Sequence, residues 1–580
     1  MNLFVDIEAL VRSELAAMRQ EGILPVGSNV DHITVEPPRE AAHGDMATNA
    51  ALLCAKFGVN PREFAEQLGQ RIGVDSRIVA YEVAGPGFLN LWLRPSCWHD
   101  VLQAILIEDV NFGQSKLGAN QNVNIEFVSA NPTGPLHVGH TRGAIFGDAL
   151  ANLLEFAGYS VTREYYINDG GAQMDALARS TYLRYLQALG QDIALEDTAY
   201  PGDYLIAVGQ AIAKKWGDVW VDKSEDQWLD HIRNFATDAM MDIIREDLSA
   251  LGIEMDVFFS EKSLYGTGRI EAALQSLDCK GLIYRGTLEQ PKGKGSKDWV
   301  AREQMLFKST EHGDDVDRPL QKSDGTWTYF APDVAYHFDK VSRGFDVLIN
   351  VFGADHGGYV KRMKAAVSAL SDNQVPLDIK LIQLVRLFKN GEPFKMSKRS
   401  GSFVTLRDLL QHVGPEVTRF VMLTRKNDAM LDFDFAKVLD QSRDNPVFYV
   451  QYANARVMSV FRRAREAKIP IDDEVLQSVE LSSLTHDLEL AVLRKLAEWP
   501  RLIEAAARAN EPHKVAFYLN ELASEFHRLW NGGNDYPTLR FVQPDNVELS
   551  QSKIALGRAV SIVIALGLGI LGVTPAQEMR

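Results

Sequence analysis

From Asn122 to Gly158 the chain reads as a strand, a short loop and a helix in unbroken succession, and that order limits what the rest can become. Asn122–Val128 carries the apolar and β-branched residues of a buried strand. The loop is broken by Pro132, Gly134 and Pro135, and a helical pattern then runs from His137–His140 to a stop at Gly158. A strand that feeds directly into a helix needs a crossover to a parallel neighbour, so the spacing predicts a parallel α/β sheet. Ser160–Ile167 and Phe345–Phe352 are its other clear strands. Between them, Tyr182–Glu261 is polar and mostly helical, lacks a strand alternation, and reads as an insertion.

At 580 residues the chain is too long for one domain. Residues 1–110 read as an α+β N-terminal domain, with one helix face at Leu3, Phe4, Ile7, Leu10 and Val11, a second helix around Asn49–Lys56, and a strand-like stretch over 82–93. Residues 111–385 read as a Rossmann-like parallel-sheet catalytic domain, with the insertion at 182–261. Residues 386–444 form a loop and connecting region, and 445–580 are expected to be an all-α helical bundle punctuated by Pro446, Pro470 and Pro537. Asp6, Glu8 and Glu14 replace the basic start of a secretory signal. The apolar run Ala559–Val573, interrupted by Gly567, Gly569 and Gly572, falls short of the roughly 17–25 residues of a membrane span. It predicts a buried core helix, and with it a cytoplasmic protein without a membrane partner. Three scattered cysteines, Cys54, Cys97 and Cys279, exclude a disulfide scaffold and a cysteine-clustered zinc site. A net charge of −16 argues against a general polyanion binder but leaves room for a local basic surface.

The chemistry-bearing residues concentrate in few places. His137 and His140 flank Val138 and Gly139 where the helix begins, and free N–H groups and the helix dipole favour a phosphate there. Gly139 lets a nucleotide approach the backbone. Far downstream, Lys395, Met396, Ser397 and Lys398 lie in a glycine-flanked loop, where two lysines three apart suit a polyphosphate. Taken alone, the first segment also reads as a Gly/Pro-rich loop with incidental histidines, and the second also as a basic surface loop. Glu126 sits in an apolar strand, where an unpaired carboxylate is expensive, so a partner is expected: an arginine of the protein or the substrate. Ser323-Asp324-Gly325 signals a turn, and Tyr329 and Asp333 follow it, one turn apart if Pro332 opens a helix. Asp355 and His356 follow a strand at its carboxyl end, where open α/β sheets place ligands. Arg456, Arg462, Arg463, Arg465 and Lys468 lie near Phe448, Tyr449 and Tyr452, a pattern of either a solvated face or an RNA contact.

The two motifs in this order resemble the HIGH and KMSKS signatures of class I aminoacyl-tRNA synthetases. Within them, the stretch from Glu126 through Ala130, Asn131, Pro132, Thr133, Gly134, Pro135, Leu136, His137, Val138, Gly139 and His140 resembles the extended HIGH region of the arginyl-tRNA synthetase family. So do residues 313–337, 353–362 and 447–457, and the N-terminal stretches GDMATNAALLCAKFGVNPREFAEQL and AGPGFLNLWL. That family usually closes on a methionine, whereas here Met579 is followed by Arg580.

The resemblance implies a two-step reaction. Arginine and ATP, the latter with Mg²⁺ as its substrate complex and with no tightly bound protein metal, give arginyl-adenylate and pyrophosphate. The arginyl group then passes to tRNA(Arg). It implies His137, Gly139 and His140 at the α-phosphate, and Lys395 to Lys398 at the leaving pyrophosphate. Ser129 and Asn131 face the arginine backbone groups, Tyr329 and Asp333 the guanidinium, and Glu126, Asp355 and His356 are further arginine-site candidates. Arg456, Arg462, Arg463, Tyr449 and Tyr452 are the tRNA contacts, and a monomer is expected. The rivals are a HIGH-type nucleotidyl transferase or synthetase of another specificity, and a non-enzymatic RNA-binding subunit.

Overall fold

The computed structural model describes residues 1–25, 31–195, 199–288, 302–394, 404–442 and 444–579. By its internal contacts the chain divides into two compact units, Lys116–Asp440 and a second made of Met1–Ser115 with Gln441–Arg580.

The unit Lys116–Asp440 is built on five parallel strands: β1 (Asn122–Glu126), β2 (Ser160–Ile167), β3 (Val257–Ser260), β4 (Val347–Gly353) and β5 (Leu377–Ile382), in the spatial order β5-β4-β1-β2-β3. Helix α1 (Val138–Phe156) makes the crossover from β1 to β2, as the opening sequence pattern requires. Between β2 and β3 run α2 (Ala172–Ala188), α3 (Tyr204–Trp216) and α4 (Glu225–Ala250), which bury a core of their own around Leu177, Tyr185, Leu205, Ile212, Ile232 and Met240. The segment read as a strandless insertion therefore ends in a sheet strand. Val257-Phe258-Phe259-Ser260 pairs with β2, and four residues are too few for an alternation to show against helical neighbours.

Helix α5 (Arg269–Cys279) leads to a small antiparallel sheet of Ile283–Gly286, Gln304–Phe307 and Arg318–Gln321. Helices α6 (Phe330–Ser342) and α7 (Val360–Leu370) then flank β4 in the chain. After β5, the strands Val385–Lys389, Glu392–Pro393 and Leu431–Asp434 form another three-stranded sheet, and α8 (Leu406–Val413) lies within that stretch. The chain leaves β1 toward β2 and β3 on one side and returns to β4 and β5 on the other. The carboxyl ends of β1 and β4 therefore flank a topological switch point, the position where such sheets bind ligands.

In the other unit, the N-terminal helix Leu3–Gln20 buries Leu3, Phe4, Ile7, Val11, Leu15 and Met18 along one face. It accompanies a four-stranded antiparallel sheet of Val35–Glu36, Met46–Thr48, Phe88–Leu93 and Ile78–Ala84. From Pro446 to Ile570 the main described elements are helices, the last of which, Val547–Ile570, is long and apolar enough to cross a membrane yet mostly buried within the unit. Trp499 is buried against Gly113, and its indole donates to the carbonyl of Phe112 at 3.1 Å.

Candidate active site at the end of strand β1

Strand β1 stops at Glu126 rather than Val128 because the chain turns sharply there. Val128 and Ser129 take φ values of 68° and 40°, and the Ser129 N–H bonds back to the Phe127 carbonyl at 3.0 Å. A β-branched residue with positive φ is costly, of order 1–3 kcal/mol, and such strain persists where surrounding contacts enforce it. Those contacts are present. The Ser129 hydroxyl donates to Glu126 at 3.2 Å and accepts from the Tyr166 N–H at 3.1 Å, and the Tyr165 hydroxyl donates to the Ala130 carbonyl at 2.7 Å. Beneath the turn, Gly147 of α1 is indispensable, since a Cβ there would stand 2.3 Å from the Phe127 ring.

The loop Asn131–Leu136 then delivers His137 as the N-cap of α1. The His137 Nδ1 accepts from the Gly139 N–H at 3.1 Å, and the His140 Nδ1 accepts from the His137 N–H at 3.5 Å. The two rings stack with centroids 3.8 Å apart. Burial lowers the His137 pKa, and burial with the neighbouring His137 lowers that of His140 to about 4. Both imidazoles are thus neutral near pH 7. With each Nδ1 engaged as an acceptor, the proton of each ring is assigned to Nε2, which makes two neutral donors at a helix N-terminus.

The chain leaving the lysine-bearing segment meets this loop. Val138 N–H bonds to the Val404 carbonyl at 3.1 Å and Leu406 N–H to the Leu136 carbonyl at 2.8 Å, which closes a bridge between His137 and Thr405. Lys395, Met396, Ser397 and Lys398 lie outside the described residues.

Beside the histidines is a group of carboxylates. Glu126 is buried, and its protein partner is a lysine rather than the expected arginine: Lys340 of α6, fully buried, donates at 2.7 Å. Lys340 also donates to Asn350 at 3.3 Å, and the Asn350 amide meets His337 at 2.9 Å. Asp333, at the first turn of α6, accepts from the Tyr359 hydroxyl. Its pKa is pushed up to about 7, first by desolvation, then by the charges of Glu126 and Glu261 that outweigh the pull of Arg362. Burial also raises Glu261, whose carboxylate accepts from the Tyr265 hydroxyl at 3.1 Å. Burial above all, with the charges of Glu261, Asp333 and Glu126, raises the Tyr166 pKa above the ordinary phenol range. Three carboxylates share this recess with Lys340, tightly paired to Glu126, and with Arg362, whose charge also acts on Asp333. The arrangement is short of positive charge.

The candidate residues divide accordingly. Glu126, Ser129 and Asp333 come together. Asn131 is exposed beside them and donates to Gln173 at 2.8 Å. Helix α6 opens at Phe330, with Pro332 inside its first turn, and Tyr329 points into solvent at 84% exposure, so the phenol on Asp333 is that of Tyr359. Asp355 and His356 follow β4 in a short 3₁₀ turn, exposed and 3.6 Å from one another, and are not among the groups acting on Asp333. Sequence reasoning passed over Tyr359, Glu261 and Lys340. Tyr359 lies within the stretch 353–362 already singled out, so a hydroxyl spaced four residues beyond Asp355 was the available signal.

In the other unit, Tyr452, Arg456, Arg462, Arg463, Trp530 and Met579 line a cavity of about 370 Å³. The Arg456 guanidinium lies 4.4 Å from the Tyr452 ring and 5.0 Å from the Trp530 ring, and donates to His527 at 2.8 Å. The tail reaches the cavity because Gln451 and Asn454 hold it, accepting from Ala576 N–H at 2.7 Å and donating to the Thr574 and Ala576 carbonyls at 2.8 and 2.9 Å. Tyr449 does not line it, and its ring is tilted on His527 at 4.3 Å between ring centres. Arg580 lies outside the described residues.

Similarity to known proteins covers the whole chain. Residues 101–449 match the family described as tRNA synthetases class I (R), catalytic domain; residues 450–579 match the DALR anticodon binding domain; residues 6–93 match the arginyl tRNA synthetase N terminal domain. A protein of Roseobacter denitrificans named arginine–tRNA ligase is 67% identical over 581 residues, covering 100% of each chain. One of the same name from Ruegeria pomeroyi is likewise 67% identical over 100% of each chain. In three dimensions the chain is similar to the arginyl-tRNA synthetase structure from Thermus thermophilus, with a TM-score of 0.73 over 99% of this chain and 100% of that one at 20% identity.

Proposed function

The chain belongs to the arginyl-tRNA synthetase family, and from that premise we propose which of its residues carry each step of the reaction. The enzyme joins L-arginine to tRNA in translation, with ATP as co-substrate. Its first step attacks the α-phosphorus and expels pyrophosphate, so positioning and charge stabilisation dominate. His137 and His140 donate from Nε2 to the α-phosphate region, helped by the N-terminus of α1, while Gly139 admits the nucleotide. Lys395 and Lys398, with Met396 and Ser397 between them, hold the pyrophosphate. Mg²⁺ arrives with ATP as part of the substrate.

Arginine sits in the acidic recess. The observation that carries this reading is the convergence of Glu126, Glu261 and Asp333, where burial above all raises the pKa of Asp333 and Glu261 and an arriving cation would favour their ionised forms. A guanidinium offers paired donors in a plane, which carboxylates match two at a time. Asp333, oriented by Tyr359, and Glu261 take the guanidinium; Glu126, Ser129 and Asn131 face the α-amino and carboxylate end. Tyr329, Asp355 and His356 are exposed to solvent and meet the substrate as it arrives.

The basic cavity of the second unit takes the anticodon arm through Arg462 and Arg463, with Tyr452 and Arg456 beneath an unstacked base. The N-terminal region adds a further tRNA contact. The enzyme acts in the cytoplasm as a monomer and requires tRNA to activate arginine. ATP–pyrophosphate exchange with each of the twenty amino acids, with and without tRNA, tests the whole reading. Exchange with arginine alone, and only when tRNA is added, is the expected result. Exchange with another amino acid would overturn the specificity, and exchange without tRNA the dependence.

A further inference from the structure

The helical insertion between β2 and β3 touches the histidine loop at more than one point. From α3, the Tyr204 hydroxyl donates to the Thr133 carbonyl at 2.7 Å, and its ring packs so closely that a Cβ on Gly134 would stand 2.9 Å from the hydroxyl. From α4, the fully buried Asp247 accepts the Leu136 N–H at 3.1 Å through one carboxylate oxygen. Its other oxygen accepts from Arg407 Nε at 2.8 Å, while the same guanidinium also meets Glu246 at 2.6 Å. Arg407 stands in the first turn of α8, immediately after the residues whose backbone bridges Leu136 and Val138. One carboxylate thus joins the residue before His137 to the chain segment paired across it.

We infer that Asp247, with Arg407 and Tyr204, is a positioning device for the two histidines, through which the helical insertion sets the geometry of the phosphate site. The inference rests on the reading of His137 and His140 as phosphate donors. The physical reason is local. Leu136 N–H is buried and has no helix or sheet partner, so it donates to whatever acceptor fixes the loop. Asp247 supplies that bond and is itself fixed by Arg407. The orientation of the His137 cap, and with it the aim of both Nε2 donors, follows from where this carboxylate is held. None of the three side chains need touch ATP. Misplacing catalytic donors by a fraction of an ångström lowers the rate of the chemical step while leaving ground-state binding nearly intact.

The test compares Asp247→Ala, Arg407→Ala, Arg407→Lys and Tyr204→Phe with His137→Ala and His140→Ala in tRNA-supported ATP–pyrophosphate exchange. We expect Asp247→Ala and Arg407→Ala to lower kcat by roughly 10–100-fold while the KM values for ATP and arginine move by less than about threefold. Arg407→Lys should restore part of the loss, and Tyr204→Phe should cost kcat severalfold. Arg407 is half exposed and Tyr204→Phe keeps the ring, so these two variants decide the matter if Asp247→Ala does not fold. Wild-type kcat in both, or a change confined to KM, alongside a crippled His140→Ala enzyme overturns the inference alone. Wild-type kcat in the histidine variants overturns the reading of the phosphate site on which it rests.

Discussion

A buried carboxyl group with other carboxylates nearby holds its proton more tightly, and Asp333 is in that position. Its pKa of about 7, raised from 3.8, means that in the free enzyme it is largely neutral below that pH. The raised value favours the free folded enzyme at low pH, and this contribution is lost as pH rises from 3.8 through about 7. On the proposed reading, arginine reverses it by supplying the missing charge. The stabilisation of the protein by saturating arginine should therefore be larger at pH 8 than at pH 6. The KM for arginine should rise toward tenfold per unit as pH falls below about 7. His140, with its pKa near 4, does not titrate in this window. A flat arginine KM between pH 6 and 8 would mean that another group takes the guanidinium. Asp333→Asn should remove the pH dependence and cost at least about 3 kcal/mol in kcat/KM, as breaking a desolvated charged pair does. Discrimination against citrulline, the neutral isostere, should shrink with it, because the carboxylate no longer favours paired donors. Unchanged kcat/KM values for both amino acids would move the guanidinium to Glu261.

At the scale of elements, helix α1 does more than present histidines. Arg142, one turn in, is buried and donates to the carbonyls of Gln383, Ala429, Arg425 and Lys426 at 3.0, 2.7, 3.4 and 2.9 Å. Burial lowers its pKa to about 10, so it stays charged. It clasps the chain just ahead of the parallel strands Val385–Lys389 and Leu431–Asp434. Arg142→Ala would orphan these acceptors around a cavity and should destabilise the unit by about 3–5 kcal/mol in denaturant unfolding. A loss below about 1 kcal/mol would mean that water replaces the guanidinium. No local pattern in the sequence announces such a clasp. The strand, loop and helix of 122–158 were legible because apolar periodicity and Gly/Pro punctuation are local signals. Glu126 announced that it needed a partner, but Lys340 lies 214 residues away, and only the folded sheet brings them together. Likewise β3 is too short to show a period, and Tyr359 was hidden beside the more conspicuous Asp355 and His356, which the fold leaves in solvent.

For the whole molecule, the two ends of the chain are one folding unit, although their textures differ in sequence. His99 meets the Leu484 carbonyl at 2.9 Å, Gln477 donates to the Leu106 carbonyl at 2.9 Å, and Trp499 is sealed against Phe112 and Gly113. Trp499→Ala should cost this unit about 3–5 kcal/mol. A chain ending at residue 440 should lose amide-exchange protection throughout 1–115 while 116–440, with its own core, keeps it. Retained protection in 1–115 would show that the N-terminal region stands alone. Loss of charging after such a truncation therefore says little about tRNA contacts, and a surface change is the better probe. Arg456 is unsuitable, since it is wedged between two aromatic rings and bonded to His527. Arg462 is half exposed on the cavity wall and, among the described residues, meets Glu578 at 3.6 Å and the Gln577 carbonyl at 3.5 Å. Arg462→Ala should leave the melting temperature unchanged and weaken tRNA binding. If Arg462 neutralises a phosphate, the slope of log affinity against log salt should fall by about 0.7–0.9. Because activation is expected to need tRNA, exchange at subsaturating tRNA should fall in proportion and recover when tRNA is raised. An unchanged salt slope with normal tRNA affinity would remove Arg462 from the tRNA surface.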